Sequence, residues 1–225
     1  MNLKSKVLLF AVGWLALISG LHAYLNVNWA TVLNDYEPMA KRKIIVAYLP
    51  VTCQLTCPVT DYISKYSESG EMYLPRMFQG FPEIKEALIS NRVQAAFVVA
   101  PLALALKAQG VPIKIVYLGH RYGSAVVVRK DGPIKTFADM RGHTIAIPSR
   151  FSDERLLIFR AMKVWGIKPS EIKMLEMAPP DVSSALAAHA IDAFVMGEPF
   201  PSQAEMAGFG RVLFQAREIT DRLLS

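Results

Sequence analysis

The chain has 225 residues, 52% of them hydrophobic and 20% charged, with a formal charge of +6. Such a composition excludes a disordered or low-complexity chain and leaves enough apolar material for a buried core. The basic residues are dispersed rather than gathered on one stretch, which argues against nucleic acid as a partner and for a mildly basic surface that attracts small anions.

At the N-terminus Lys4 and Lys6 precede an uncharged apolar run from Val7 to about Ala23. Residues 1–25 read as a Sec-type export signal, with cleavage after "LHA", or as an uncleaved membrane anchor, because the run approaches the roughly 20 residues that span a bilayer. Leu21 is bulky where a cleavage site prefers a small residue, so both readings stand. Either one places the rest of the chain outside the cytoplasm, periplasmic or extracytoplasmic, where disulfides are allowed, and limits membrane contact to this segment. Residues 26–42 form a polar connector, read as a tether with partial helix.

From Lys43 onward short apolar runs alternate with longer amphipathic ones. "KIIVAYLP" reads as a buried strand, "PVTDYISKYSE" as a helix, "YLPRMFQG" as a strand and "FPEIKEALISNR" as a helix. "AAFVVA" follows as a strand, "PLALALKAQG" as a helix ended by Gly110, and "IKIVYLG" as a strand. The series restarts near Ser124 with the strand "SAVVVRK", a turn and short helix in "DGPIKTFADMRG", the strand "HTIAIPS" and the long helix "SDERLLIFRAMKVWG". "APPDVSSALAAHA" is a helix with Asp181 placed as its N-cap. "IDAFVMGEPFP" then ends on Pro199 and Pro201, which predict an extended departure. This alternation predicts an α/β fold of mixed, mostly parallel sheets flanked by helices. It divides into lobe 1 over 43–123 and lobe 2 over 124–200, followed by a segment over 201–225 that the family resemblance given below implies is a return towards lobe 1.

In open α/β sheets ligands settle at the carboxyl ends of strands, where loops and helix N-termini converge. The junctions that meet this description are "PVTCQLTCPVT", "VVAPLAL", "YLGHRYGS", "IPSRFSDERL" and "VMGEPFP". In "IPSRFSDERL", Ser149 and Ser152 offer hydroxyls beside free helix N–H groups, and Arg150 offers a cation for a carboxylate or sulfonate. The plainer reading is that Ser152 only caps the helix and Arg150 faces solvent.

The segment "TFADMRGHTIAIPSRFSDERLLIFRAMKVWGIKPSEIKMLEMAPPDVSSALAAHAIDAFVMGEP" resembles the second lobe of the nitrate/sulfonate/taurine-type substrate-binding proteins of ABC transporters, and "VQAAFVVAPLALALKAQGVPIKIV" resembles their first. The resemblance covers about residues 43–215. It implies a two-lobed periplasmic-binding-protein fold whose lobes close on a small solute and deliver it to an ABC permease and its ATPase without chemistry or a cofactor; the helix N-termini and Arg150 argue for an anionic solute, although the family also includes members for aromatic and pyrimidine solutes. Two departures stand out. The chain stops at "FQAREITDRLLS", soon after the expected return to the first lobe, so it reads as a fragment or a short form. The "TCQLTCP" loop carries a cysteine pair that many relatives lack.

On this reading Cys53, Gln54, Thr56 and Cys57 with Ala100 line one side of the cleft, and Ser149, Arg150, Ser152 and Glu198 line the other. Tyr122 near the first crossing is a candidate for stacking or hydrogen bonding, and Gly123 and Gly197 mark the hinge. Cys53 and Cys57 are separated by three residues, which is not redox C-x-x-C spacing. His22, His120, His143 and His189 show no zinc-like spacing with them, so no metal site is expected. A short-loop disulfide and a pair of reduced cleft-lining thiols both remain open. There is no G-x-S-x-G elbow, Walker A motif or G-x-G-x-x-G fingerprint, so the chain reads as no enzyme. The alternatives are a membrane-tethered ligand sensor on the same fold, or a relative of the thiamine-pyrimidine proteins, whose Cys-rich motif is absent here.

Overall fold

A computed structural model describes residues 2–54, 59, 62, 66, 72–119 and 123–219. The chain separates into two compact units, Met1–Lys43 and Ile44–Ser225.

In the first unit the apolar run forms α1 (Leu3–Asn26), capped by Asn2, whose side-chain oxygen accepts the Ser5 N–H at 3.1 Å. It has 24 residues with mean hydropathy 1.8, long and apolar enough to cross a membrane, and none is buried. The connector contains α2 (Trp29–Tyr36), capped by Asn28. Asn34 then donates to the Lys43 carbonyl at 3.0 Å and accepts the Lys43 N–H at 2.8 Å, which folds the connector's end back on α2.

The second unit holds two sheets. β1 (Ile44–Tyr48), β2 (Tyr73–Met77) and β3 (Ala95–Ala96) form a parallel three-stranded sheet in the order β2-β1-β3. Pro75 is tolerated because β2 lies at an edge, where a missing N–H breaks no ladder. Helices α3 (Phe81–Ile89) and α4 (Ala100–Ala108) follow β2 and β3, and Gly110 leaves α4 at φ +81°, a conformation that favours glycine.

The second sheet has five strands, β4 (Ser124–Arg129), β5 (Thr144–Ile147), β6 (Lys173–Glu176), β7 (Ala193–Gly197) and β8 (Gly210–Gln215), in the order β6-β5-β7-β4-β8. β5 runs parallel to β6 and β7, whereas β4 is antiparallel to β7 and β8. Its centre is dry on both faces, since Val126, Val127 and Val128 are fully buried. At roughly 1.5–3 kcal/mol per buried aliphatic side chain, this central strand anchors the sheet. Val126 and Val128 pack with Leu157, Ile158, Ala161 and Met162 of α5 (Asp153–Val164). Val127 packs on the opposite face with Val182 and Leu186 of α6 (Val182–Ala187) and with Phe200 and Ala204 of α7 (Phe200–Met206). That second cluster is continuous with Ile45 and Ala47 of the first sheet and with Leu49 just beyond β1.

Several expectations change. "IKIVYLG" forms no strand: Ile115, Val116, Tyr117 and Leu118 are exposed, at 56%, 92%, 75% and 79%. Among the described residues β3 is bonded only to β1, so this run has no neighbouring ladder to join. The segment after Gly197 is not extended, because α7 starts at Phe200 and takes Pro201 in its first turn, where no N–H is needed. Within the segment expected to return towards lobe 1, β8 pairs with β4 and joins the second sheet. There Gly210 permits close packing, since a Cβ would sit 2.7 Å from Ala204 Cβ. Asp181 occupies the N-cap position of α6 but makes no side-chain cap, being held in αR backbone by the preceding 3-10 turn. Most of the helix expected in "PVTDYISKYSE" lies outside the described residues.

Candidate functional site

The carboxyl ends of β5 and β7, the start of β4 and the turn after β1 are where polar residues sink into the second unit. After β5, Ser149 and Ser152 are 3% and 1% exposed. The Ser149 hydroxyl oxygen accepts the Phe151 N–H at 3.2 Å, and that of Ser152 accepts the Arg155 N–H at 3.3 Å as the N-cap of α5. Both oxygens therefore hold the turn, while each hydroxyl keeps a proton to donate.

Arg150 is engaged elsewhere. Its Nε lies 2.8 Å from Glu176 Oε1, its backbone N–H donates to Glu176 Oε2 at 3.0 Å, and its side chain is 67% exposed. The cation assigned to an anionic solute is thus paired with the end of β6 at the surface.

Gln54 is buried, and its side-chain oxygen accepts the Leu49 N–H at 2.5 Å, so it braces the turn after β1. Ala100 is the exposed first residue of α4. Thr56, Cys57 and Tyr122 lie outside the described residues. Glu198 is used twice: its Oε2 accepts the Ser202 N–H at 3.2 Å, and its main-chain carbonyl accepts the Thr52 N–H at 2.8 Å and the Thr52 hydroxyl at 3.1 Å.

Glu154 is the residue that sequence reasoning passed over. In the first turn of a helix an acid is ordinarily explained by the helix dipole and by solvent. Here Glu154 is 7% exposed, its Oε1 accepts the Ser124 hydroxyl at 2.8 Å, and its Oε2 is buried with no hydrogen-bond partner. Burial first, and then the charge of the adjacent Asp153, push its carboxyl up to about 8. Cys53, a free thiol, is pushed up to about 11, first by desolvation and then by the charges of Glu154 and Asp153. The residue as a whole is exposed, so it is the local crowding of its sulfur that produces the leading effect.

These contacts close a circuit. Thr52 holds Glu198; Gly197, next to Glu198, faces Ser124 in the β4–β7 register; Ser124 holds Glu154; and Glu154 acts electrostatically on Cys53, next to Thr52. Gly123, at φ +113°, and Gly197 stand at this same edge. The circuit gathers hydroxyls, a thiol and one unpaired carboxyl oxygen, a set suited to hydrogen bonding a small polar molecule. Among the described residues no three His, Cys, Asp or Glu side chains are grouped to hold a metal ion. A concavity of about 400 Å³ lined by Arg129, Lys130 and His189 lies at the opposite end of β4. It lacks a comparable set of buried polar groups.

The model of the NMT1-like family matches residues 37–223. The taurine-binding periplasmic protein of Escherichia coli (strain K12) is 32% identical over 155 residues, which covers 68% of this chain and 47% of that protein. The ligand-binding component of an ABC-type import system from Staphylococcus aureus, solved with zinc bound, matches with a TM-score of 0.72 at 27% identity, covering 78% of this chain and 61% of that one. The alkanesulfonate-binding protein from Xanthomonas axonopodis pv. citri, bound to MOPS, matches with a TM-score of 0.67 at 20% identity over 80% of this chain and 62% of that one, a likeness of fold. The fold is therefore the α/β fold of periplasmic binding proteins. The chain spans about half the length of the taurine-binding relative.

Proposed function

The chain belongs to the NMT1-like family, and we propose that it is an extracytoplasmic solute-binding component of an ABC importer. A small organic solute of the sulfonate or carboxylate class binds among the strand ends that carry Thr52, Cys53, Ser124, Glu154 and Glu198. It is then passed to a membrane permease driven by an ATPase. The observation that carries this reading is the double hydrogen bond from Thr52 to the Glu198 carbonyl, which draws the turn after β1 to the end of β7. In an α/β protein that meeting of strand ends is where a ligand is expected. The names of the relatives support the solute class. α1 serves as an export signal or as an anchor in the inner membrane. The site's groups bind rather than react: Cys53 is held as a neutral thiol, because burial and the charges of Glu154 and Asp153 all raise its pKa instead of activating it.

A thermal-shift screen of the exported part against taurine, alkanesulfonates, nitrate, bicarbonate, aromatic acids and pyrimidines tests the reading. A ligand that binds only the folded state raises the melting temperature, and above its Kd the rise continues with the logarithm of its concentration. A concentration-dependent rise with one class supports binding, whereas turnover of a compound without any rise would refute it.

A further inference from the structure

A helix on the surface of a globular protein ordinarily turns its apolar residues inward and its polar ones to water. α2 has this arrangement reversed. Trp29, Leu33 and Tyr36 follow one another at i, i+4 and i+7, so they share one face, and there they are 49%, 62% and 84% exposed. The buried residues of the helix are polar: Thr31, and Asn34 with its two bonds to the Lys43 backbone. Such a contiguous apolar face marks a surface meant for something other than water. Its position in the chain says what that is. Only Val27 and Asn28 separate α2 from α1, and the Trp29 indole N–H donates back to the Ala23 carbonyl at 3.0 Å, which ties the start of α2 to the last turn of α1. At about 1.5 Å per residue the 24 residues of α1 reach about 36 Å, enough to cross roughly 30 Å of hydrocarbon. With Lys4 and Lys6 at the inner end, a spanning α1 delivers α2 to the outer headgroup boundary. Tyr24, Trp29 and Tyr36 then stand near that boundary, where aromatic side chains with one polar end are favoured. Charge does not carry the contact: Asp35 and Glu37 offset Lys41 and Arg42, and Arg42 donates to the carbonyls of Glu37 and Asp35 at 2.8 and 2.6 Å.

We propose that α1 is retained as a membrane anchor and that α2 lies in the outer headgroup region of the same bilayer, with Trp29, Leu33 and Tyr36 inserted among the lipids. The two helices form one bent anchor, a span and a foot. The proposal rests on the anchor reading of α1 given above and is independent of which solute is bound. Because the foot is held by apolar area and not by charge, neutral lipid suffices for it and salt leaves it in place.

The test reconstitutes the full chain in phosphatidylcholine vesicles whose acyl chains carry bromine either near the headgroup or near the terminal methyl. Comparing Trp14→Phe with Trp14→Phe/Trp29→Phe isolates the emission of Trp29, since Trp165 is common to both. Trp29 should lose at least about twice as much emission to the shallow bromines as to the deep ones, at low and high salt alike, as expected of a side chain about 5–10 Å into the boundary. Leu33→Lys/Tyr36→Lys, checked for folding by thermal melting, should remove about half of that shallow quenching or more. Trp29 quenched by neither lipid, or more by the deep bromines, overturns the proposal, and shielding from aqueous iodide in the unquenched case identifies a protein surface as the cover. Quenching that requires anionic lipid, or that survives the lysine pair unchanged, overturns it as well. Export of the full chain in a bacterium checks the span separately: recovery in carbonate-washed membranes with α1 intact supports the anchor, and a soluble chain beginning at Tyr24 overturns it. None of these outcomes touches the solute-binding reading, which the thermal-shift screen decides.

Discussion

Thr52 and Glu198 lie 146 residues apart, yet the Thr52 N–H and hydroxyl both donate to one carbonyl oxygen, that of Glu198, at 2.8 and 3.1 Å. The turn after β1 is thereby tied to the end of β7 by two bonds from a single residue. Replacing Thr52 by Ala removes the hydroxyl bond and leaves the amide bond in place. A loss of about 0.5–1.5 kcal/mol is expected, a melting-temperature drop of a few degrees by calorimetry, with Thr52→Ser restoring most of it. A serine variant as weak as the alanine variant would show that the methyl group, rather than the hydroxyl, was responsible.

Glu154 makes stability depend on pH in a definite direction. Its folded carboxyl is raised from about 4.5 to about 8 by burial and by Asp153. Between those values the native state keeps a proton that the unfolded chain has released, so stability falls as pH rises through the window and levels off above it. The slope contributed is about 1.4 kcal/mol per pH unit. Urea midpoints of wild type and Glu154→Gln should converge towards pH 4 and diverge towards pH 8, with the variant the more stable at pH 8. Parallel midpoints across that range would place the proton elsewhere.

Arg150 sits in an exposed pair with Glu176. Such pairs contribute about 0–1 kcal/mol, so Arg150→Ala should change the melting temperature little. It should also leave the affinity of any solute found in the screen within a few-fold. A hundredfold loss of affinity would return Arg150 to the binding set.

The Cys53 thiol is raised from 9.0 to about 11. At neutral pH this makes its thiolate about a hundredfold rarer than that of an ordinary cysteine, and alkylation proceeds through the thiolate. Iodoacetamide should modify Cys53 far more slowly than it modifies free glutathione, measured by intact mass in a Cys57→Ser background so that one thiol reports. Reaction as fast as glutathione would mean that the thiol is neither desolvated nor opposed by the neighbouring carboxylates.

The alternation of apolar runs and amphipathic helices determined the α/β class by itself, because strand burial and helix faces write different periods into the chain. β1, β2, β4, β5 and the Ser152-capped α5 follow directly from local pattern. The junctions, too, were legible, since glycine, proline and capping serines punctuate them. What the local pattern did not contain was pairing between distant segments. "IKIVYLG" has the composition of a strand, but a strand exists only when a neighbouring ladder accepts its hydrogen bonds, and here it stays exposed. No strand was read over 210–215, yet β8 forms there because β4 offers it a ladder, with Val127 and Val128 in register with Val212 and Arg211. Arg150 and Glu154 show the same limit of local pattern. Charge and position in the sequence favour the arginine as the binding group. Tertiary packing pairs it with Glu176 at the surface and buries the glutamate with one oxygen unmatched. Residue type declares what a side chain can do, and only its distant neighbours decide whether that capacity is already satisfied.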